Sequence, residues 1–184
     1  MAEPSWADLE TLLRRWLKRA REGQHSHHEA GKFLRRAHYW LGVPVIVITT
    51  SLGTAAFATI SLGVGTAAKA WFGGLSILAA VLAALQTQFR YLERSEKHKA
   101  TATRYGNIRR QIEAILALPR SERGQPGQAL KEVREKLDAI SADADAVSSR
   151  IFKKTRDALA ADDERERRES GEGKLSPDIL HVVQ

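Results

Sequence analysis

The side chains best suited to chemistry in this chain of 184 residues begin with a histidine group near the N-terminus. His25, His27 and His28 offer imidazole nitrogens, which bind metals and titrate near neutral pH. The chain has no cysteine, and no further ligands stand at the spacing of known metal sites. A polar, solvated stretch is the favoured interpretation of residues 25–28, and we predict no metal site.

A second polar group follows the more C-terminal of two long apolar stretches. It comprises Glu93, Glu96, His98, Arg104 and Tyr105. On a helix these side chains form a solvated face of stacked charge pairs, which is the simpler interpretation. The alternative is that Glu96, His98, Arg104 and Tyr105 sense a signal.

Neither group belongs to a recognisable catalytic motif. The chain has no glycine loop that cradles phosphates, no zinc-protease helix motif and no serine elbow. The absence of cysteine excludes disulfides, thiolate metal sites and cysteine nucleophiles. We therefore predict that the protein is not an enzyme and uses no cofactor.

The elements that position these groups are dominated by two apolar stretches. Lys69 is the only charged residue between Arg36 and Arg90. A hydrocarbon core of roughly 30 Å needs about 20 apolar residues at about 1.5 Å per residue. The sequence therefore predicts a transmembrane hairpin at 39–89, with spans at 41–62 and 71–89. The alternative, a soluble bundle with two buried central helices, is disfavoured because too little apolar chain remains to surround them.

The distribution of charge assigns an orientation to this hairpin. Lys and Arg number 29 against 22 Asp and Glu, a net charge of +7 that by itself would also suit nucleic acid. However, residues 1–38 hold eight basic side chains and residues 90–110 hold seven. By the positive-inside rule, both termini lie in the cytoplasm and the turn between the spans faces outward. The predicted partner is the lipid bilayer, and we expect no nucleic acid.

The predicted spans carry polar and small residues that suggest assembly. Small residues favour close helix contacts in membranes, and Ala79, Ala80, Ala83 and Ala84 are the candidate packing positions. Two helices cannot enclose a conduit, so a pore requires several copies of the chain. No ionisable residue lies in the middle of either span, which disfavours an ion-coupled transporter. The candidate pore-lining residues are Thr50, Thr54, Ser61, Gln86 and Gln88.

The flanking segments predict cytoplasmic helices. Residues 1–38 form an amphipathic helix and a basic linker, with an interruption from Gly23 to His28; the helix lies on the inner leaflet or packs on other helices. Residues 90–161 form a helical hairpin, whose first helix ends before Pro119. Residues 162–184 are a flexible charged linker with a short apolar tail.

An apolar stripe with coiled-coil spacing runs along the second helix of that hairpin. The stripe either folds back on residues 90–118 or associates with other copies of the chain. The candidate oligomerisation residues are Leu130, Val133, Leu137, Ile140, Val147 and Ile151. The predicted fold class is therefore all-α, with the transmembrane hairpin continuous with a cytoplasmic helical bundle or coiled coil in an oligomer.

Part of this pattern resembles a known family over residues 30–118. The features that carry the resemblance are Leu41-Gly42-Val43-Pro44, the span from Gly74 to Thr87, and the helix positions Glu96, His98, Ala102, Tyr105, Ile108 and Ile112. In these features the sequence resembles the SLATT family, two-span proteins associated with nucleotide second-messenger conflict systems of bacteria.

The resemblance implies a pore-forming effector of antiviral defence. Such a protein would form pores in the inner membrane, or disrupt it, and cause abortive infection by growth arrest or cell death. The implied partners are further copies of the chain and either a nucleotide second messenger or a separate sensor or synthase protein. The alternative function is a membrane anchor that recruits a cytoplasmic enzyme or sensor through its helical bundle.

Overall fold

The computed structural model describes residues 5–62 and 65–170, and the side chains of all of these except residues 56–62. In this described part the chain is helical and contains no strand, which confirms the all-α prediction. Its elements are α1 (Trp6–Leu62), α2 (Thr66–Phe89), α3 (Tyr91–Ala117), a short 3-10 turn (Arg120–Glu122), α4 (Pro126–Asp143) and α5 (Ser149–Glu169).

The described residues form two compact units. Residues 5–29 and 102–170 make up one, which we call the bundle unit, and residues 30–62 and 65–101 make up the other, the apolar unit. The boundary between the units falls within α1 and again within α3. Each unit therefore contains part of both helices.

The core of the bundle unit is built from apolar pairs one or two turns apart on three helices. The fully or nearly fully buried residues are Leu9 and Leu13 of α1, Ile108 and Ile112 of α3, and Val133 and Ile140 of α4. Spacings of four and seven residues place each pair on one face of its helix. Leu130 and Leu137 pack on this core as well, so in this fold the α4 stripe packs against α1 and α3 of the same chain.

The sequence predicts an apolar stripe that continues for three heptads. In the structure this stripe is divided between two helices. The chain is not helical from residue 144 to residue 148, so Val147 lies in a connection and Ile151 lies in α5. Aspartate and serine side chains around the break compete for backbone hydrogen bonds and weaken a helix interior. The break starts a separate helix, α5, whose Thr155 and Leu159 are buried in the bundle unit.

α1 continues through Gly23–His28, where the sequence predicts an interruption. The ring of Tyr105 lies so close that a Cβ at residue 23 would be 3.1 Å from its Cε2 atom. A Cβ on Gly106 would similarly meet the amide of Gln24 at 3.0 Å. The glycines therefore allow α1 and α3 to approach closely, rather than ending a helix.

The predicted linker of residues 162–184 differs from the structure where it is described. The charge run from Asp162 belongs to α5, which ends at Glu169. Pairing of Glu164 with Arg168 along the helix supports this conformation. The predicted apolar tail lies outside the described residues.

In the apolar unit, hydrogen bonds connect α1 with α2 and α3. Ser95 Oγ donates to the carbonyl oxygen of Gly31 at 2.8 Å, and Gln86 Nε2 lies 3.2 Å from His38 Nδ1. Arg90, between α2 and α3, has a left-handed backbone conformation with φ of 44°. This residue ends α2, so the predicted uninterrupted passage from the second span into the following helix does not occur.

Candidate functional site

The most unusual surface of the molecule is the apolar one on the helices of the apolar unit. Large apolar side chains normally avoid exposure in contiguous patches, and such patches mark interaction sites. Ile77, in the middle of α2, is 68% exposed, and Trp71 near its start is 74% exposed. The other strongly exposed apolar residues of this unit include Tyr39, Trp40, Val43, Ile46, Val47, Leu78, Val81, Leu85 and Phe89.

The length and composition of this region match a membrane span. Among the described residues, Thr66–Ala117 contains one helical stretch long and apolar enough to cross a membrane. Only 6% of that stretch is buried within the chain itself. The exposed apolar surface of α2 is thus available to a non-aqueous surrounding or to another protein surface.

The hydroxyl groups near this surface are satisfied by their own helices. Thr49 Oγ1 donates to the carbonyl oxygen of Val45 at 2.8 Å, and Thr54 Oγ1 donates to that of Thr50 at 3.0 Å. In α2, Ser76 donates to Phe72 and Thr87 donates to Ala83 in the same way. These side chains therefore need neither a partner helix nor water to satisfy their hydrogen bonds.

The candidate pore-lining residues occupy different environments. Thr50, Thr54 and Gln88 are exposed. Gln86 is half-buried, with its amide next to His38 and so close to Gly42 that a Cβ there would lie 2.9 Å from Gln86 Nε2. The side chain of Ser61 lies outside the described part. Of the four candidate packing alanines, Ala79 is buried, Ala83 is half-buried, and Ala80 and Ala84 are exposed.

The four candidate sensing residues are divided between the two units. In the apolar unit, Glu96 is exposed and lies 3.7 Å from Lys99, whereas His98 is buried. In the bundle unit, Arg104 pairs with Asp143, and the ring of Tyr105 lies 5.8 Å from that of His27. Arg104 and Tyr105 thus have structural partners within the bundle unit.

The histidine group differs from the predicted solvated stretch. Because α1 is continuous here, His27 and Ser26 face the interior and are buried, whereas His25 and His28 are exposed. The prediction is therefore wrong for Ser26 and His27. Partial desolvation, together with the charges of Arg21 and Arg109, lowers the pKa of His25 from its usual 6.5. Over residues 5–62 and 65–170, no three histidine or acidic side chains converge to hold a metal.

An ion-pair cluster in the bundle unit was not anticipated from the sequence. Glu10 accepts two hydrogen bonds from Arg120, at 2.9 and 3.0 Å, and one from Arg123 at 2.5 Å. These hydrogen bonds lower the pKa of Glu10 from 4.5 to about 2. Arg123 also donates to the carbonyl oxygens of Leu116 and Leu118 at the end of α3. No local pattern could reveal the cluster, because its members are more than 100 positions apart.

Comparison of the chain with protein-family models, with curated proteins and with solved structures gives no match. Function is therefore inferred from the residues and contacts of the chain itself. Of these, the exposed apolar surface of the apolar unit is the feature that an ordinary water-soluble bundle does not explain.

Proposed function

We propose that this chain is a two-span membrane protein of the bacterial inner membrane, with both termini in the cytoplasm, that acts as a membrane-permeabilising effector. The observation that carries the membrane placement is the strong exposure of large apolar side chains along α2. In hydrocarbon, these side chains gain the transfer free energy that they lack in water. In such a setting, exposure within a single chain is the expected condition.

Contacts within the apolar unit support the hairpin arrangement. Gly31 pairs with Ser95, and His38 pairs with Gln86. Residue numbers thus rise along α1 in the direction in which they fall along the opposing helices, as in an antiparallel pair. α1 ends at Leu62 and α2 starts at Thr66, so few residues separate the two helices, and Lys69 lies in the first turn of α2. The basic residues on both sides of the hairpin favour cytoplasmic ends.

The effector role rests on the resemblance to the SLATT family and on polar positions exposed on α1 and α2. Thr50, Thr54 and Gln88 are exposed within otherwise apolar helices. In an assembly of several copies, such positions line a permissive pathway, since no charged side chain lies among them. Activation by infection would then permeabilise the membrane and cause growth arrest or death. Its trigger would be a nucleotide second messenger or a separate sensor protein.

A recruiting membrane anchor is the second candidate function. It is favoured by one specific observation: the threonine hydroxyls of α1 donate to their own helix, so they do not require a water-filled lumen. In this case the bundle unit binds the recruited enzyme or sensor, and the apolar unit only holds the chain at the membrane.

Dye leakage from liposomes distinguishes the two functions. The purified chain is reconstituted with and without cyclic nucleotides, and Thr54→Leu is compared with Thr49→Leu. The two threonines are a matched pair, because both are exposed and both bond to their own helix. Five residues apart, they point to different faces, separated by about 140° at 100° per residue.

A pore whose wall includes Thr54 predicts leakage by the wild type, loss of leakage in Thr54→Leu and retention in Thr49→Leu. Equal leakage in all three proteins would indicate lipid disordering rather than a defined pore. Vesicles that stay sealed under every condition, although the chain has inserted, would contradict the effector proposal and favour the anchor.

A further inference from the structure

A cleft in the bundle unit gathers basic side chains from three helices. Its volume is about 690 Å³, and residues of α1, α3 and α5 line it. The lining contains four acidic side chains and six basic ones, and the basic residues are Arg14, Lys18, Arg21, Arg109, Arg156 and Arg167. The cleft therefore carries an excess of positive charge.

Internal ion pairs account for only part of this charge. Arg21 Nη1 lies 2.5 Å from Asp163 Oδ1, and Arg109 Nε lies 3.2 Å from Glu113 Oε1. Arg156 Nη2 lies 3.5 Å from Asp157 Oδ1. By contrast, Arg14, Lys18 and Arg167 form no ion pair within residues 5–62 and 65–170, and of the lining carboxylates the same holds for Glu22 and Glu166. Arg167 follows a run of alternating acidic and basic residues that could have paired with it. Its side chain is nevertheless one of the three unpaired cations at the cleft.

Cations held together in a concave site repel one another and create a positive potential that attracts anions. Arginine guanidinium groups match the geometry of phosphate oxygens and bind them through paired hydrogen bonds. Leu17, Leu159 and Ala160 line the same cleft and provide an apolar wall. The volume lies within the range of roughly 300–1,000 Å³ that is typical of small-molecule sites.

We propose that this cleft binds a small phosphorylated molecule that carries at least two negative charges and an apolar moiety. The phosphate groups contact Arg14, Lys18 and Arg167, and the apolar moiety lies against Leu17 and Leu159. A free nucleotide and a phosphorylated lipid headgroup share this chemistry. The site does not depend on the membrane proposal, because every residue of its lining belongs to the bundle unit.

Isothermal titration calorimetry on the full chain in nanodiscs of neutral phosphatidylcholine tests the proposal. The titrants are pyrophosphate, ATP, adenosine as an uncharged control, and a short-chain phosphatidylinositol bisphosphate. The double variant Arg14→Gln/Lys18→Gln removes two cleft cations. Its matched control, Arg15→Gln/Arg19→Gln, removes two exposed α1 cations that do not line the cleft.

The expected result is binding of ATP or of the lipid headgroup, but not of adenosine. Arg14→Gln/Lys18→Gln should weaken binding by about tenfold or more, because it removes two charge-assisted hydrogen bonds to the phosphate groups. The control pair should change affinity by less than about twofold, because its side chains do not line the cleft and salt screens charges that lie farther from the ligand. Arg167→Gln, on a different helix, should weaken binding independently.

Two outcomes support the site and separate the sources of its ligand. Binding of pyrophosphate and ATP without the lipid indicates a free nucleotide, and binding of the lipid alone indicates a headgroup. The proposal is overturned if no charged titrant binds, if adenosine binds as tightly as ATP, or if both double variants lose affinity equally. Circular dichroism confirms that each variant retains its helical content, so a loss of binding is not a loss of folding.

Discussion

The bundle unit and the apolar unit differ in which kinds of side chain they bury. In the bundle unit, Leu13, Ile112 and Val133 are completely buried, and charges such as Glu10 are paired. In the apolar unit, residues as apolar as Ile77 and Trp71 are exposed, whereas Ser95 and His98 are buried. The two units therefore differ in which kinds of side chain they bury and which they expose.

This difference is what the proposed membrane placement predicts, with the bundle unit in water and the apolar unit in hydrocarbon. Burial of apolar area stabilises a fold in water, and it gains nothing where the solvent is hydrocarbon. In hydrocarbon, a polar group needs a hydrogen-bond partner within the protein. The hydroxyls of Thr49, Thr54 and Ser76 accordingly donate to carbonyl oxygens of their own helices. Matched substitutions in the two units test this contrast.

The largest effect is expected when the same substitution is made in both regions. Ile112→Ala removes a completely buried side chain of the bundle core and should cost about 2–5 kcal/mol in the free energy of unfolding. Ile77→Ala, at a site that is 68% exposed, leaves no cavity and should cost about 0.5 kcal/mol or less. Thermal unfolding of the full chain in mild detergent measures both.

Equal losses in the two alanine variants would contradict the comparison. In that case the exposed surface of α2 would be packed against another protein surface, and a second copy of the chain would be the first candidate. Concentration dependence of the melting temperature would then distinguish association from packing within one chain.

The next effect concerns the surroundings of α2 rather than its packing. Ile77→Arg places a charge at the centre of the helix and should disfavour membrane insertion by about 2.5–3.5 kcal/mol. Phe152→Arg is the control, because Phe152 is an exposed apolar residue of the bundle unit. Carbonate extraction of cell membranes should release Ile77→Arg while wild type and Phe152→Arg stay in the pellet. Release of the wild-type chain as well would refute the membrane placement.

A smaller effect is expected at Arg90, the residue between α2 and α3. Its φ of 44° lies in the left-handed region, which costs an L-residue about 1–2 kcal/mol and costs glycine little. Arg90→Gly and Arg90→Val both remove the charge, so the difference between their melting temperatures reports the cost of the left-handed backbone conformation. Arg90→Val should melt at a lower temperature than Arg90→Gly, by several degrees. The same melting temperature in both would mean that residue 90 leaves this conformation.

Sequence patterns located the helix ends better than the partners of the helices. The predicted ends at Leu62 and before Pro119 match the structure, because turn residues and proline mark them locally, whereas the end of α2 at Phe89 was predicted only as the end of a span. The division of the α4–α5 stripe at residues 144–148 was missed, since its apolar spacing continues across the break. Spacing alone does not say which helix a stripe will contact.

The candidate site was predictable only in its local features. The apolar stretches are visible as gaps between charges, so the exposed surface of α2 could be expected. The contact of Gln86 with His38 and the burial of His27 depend on residues about 50 or more positions away, which a local pattern does not encode. The same holds for Glu10 and Arg123, whose pairing closes the turn after α3 onto the start of α1.

The smallest expected effect is the dependence of the bundle unit on acid through Glu10. Its pKa is lowered from 4.5 to about 2, so its charged form stabilises the fold above pH 4.5. That stabilisation should disappear as the pH falls from 4.5 towards 2. Glu10→Gln lacks the charge at every pH, so it should melt lower than the wild type at pH 7 and approach it near pH 2. Melting temperatures measured across this range test the convergence.

Two controls make the acid dependence specific to this ion-pair cluster. Glu122→Gln removes a nearby exposed carboxylate that forms no ion pair in the described part of the chain, so it should melt at the same temperature as the wild type at pH 7. His25 titrates in a different pH range from Glu10. Because its pKa is lowered in the folded state, the fold loses stability as the pH drops below 6.5, and the wild type and Glu10→Gln share that loss. A gap between wild type and Glu10→Gln that stays constant from pH 7 to pH 2 would show that Glu10 acts by packing.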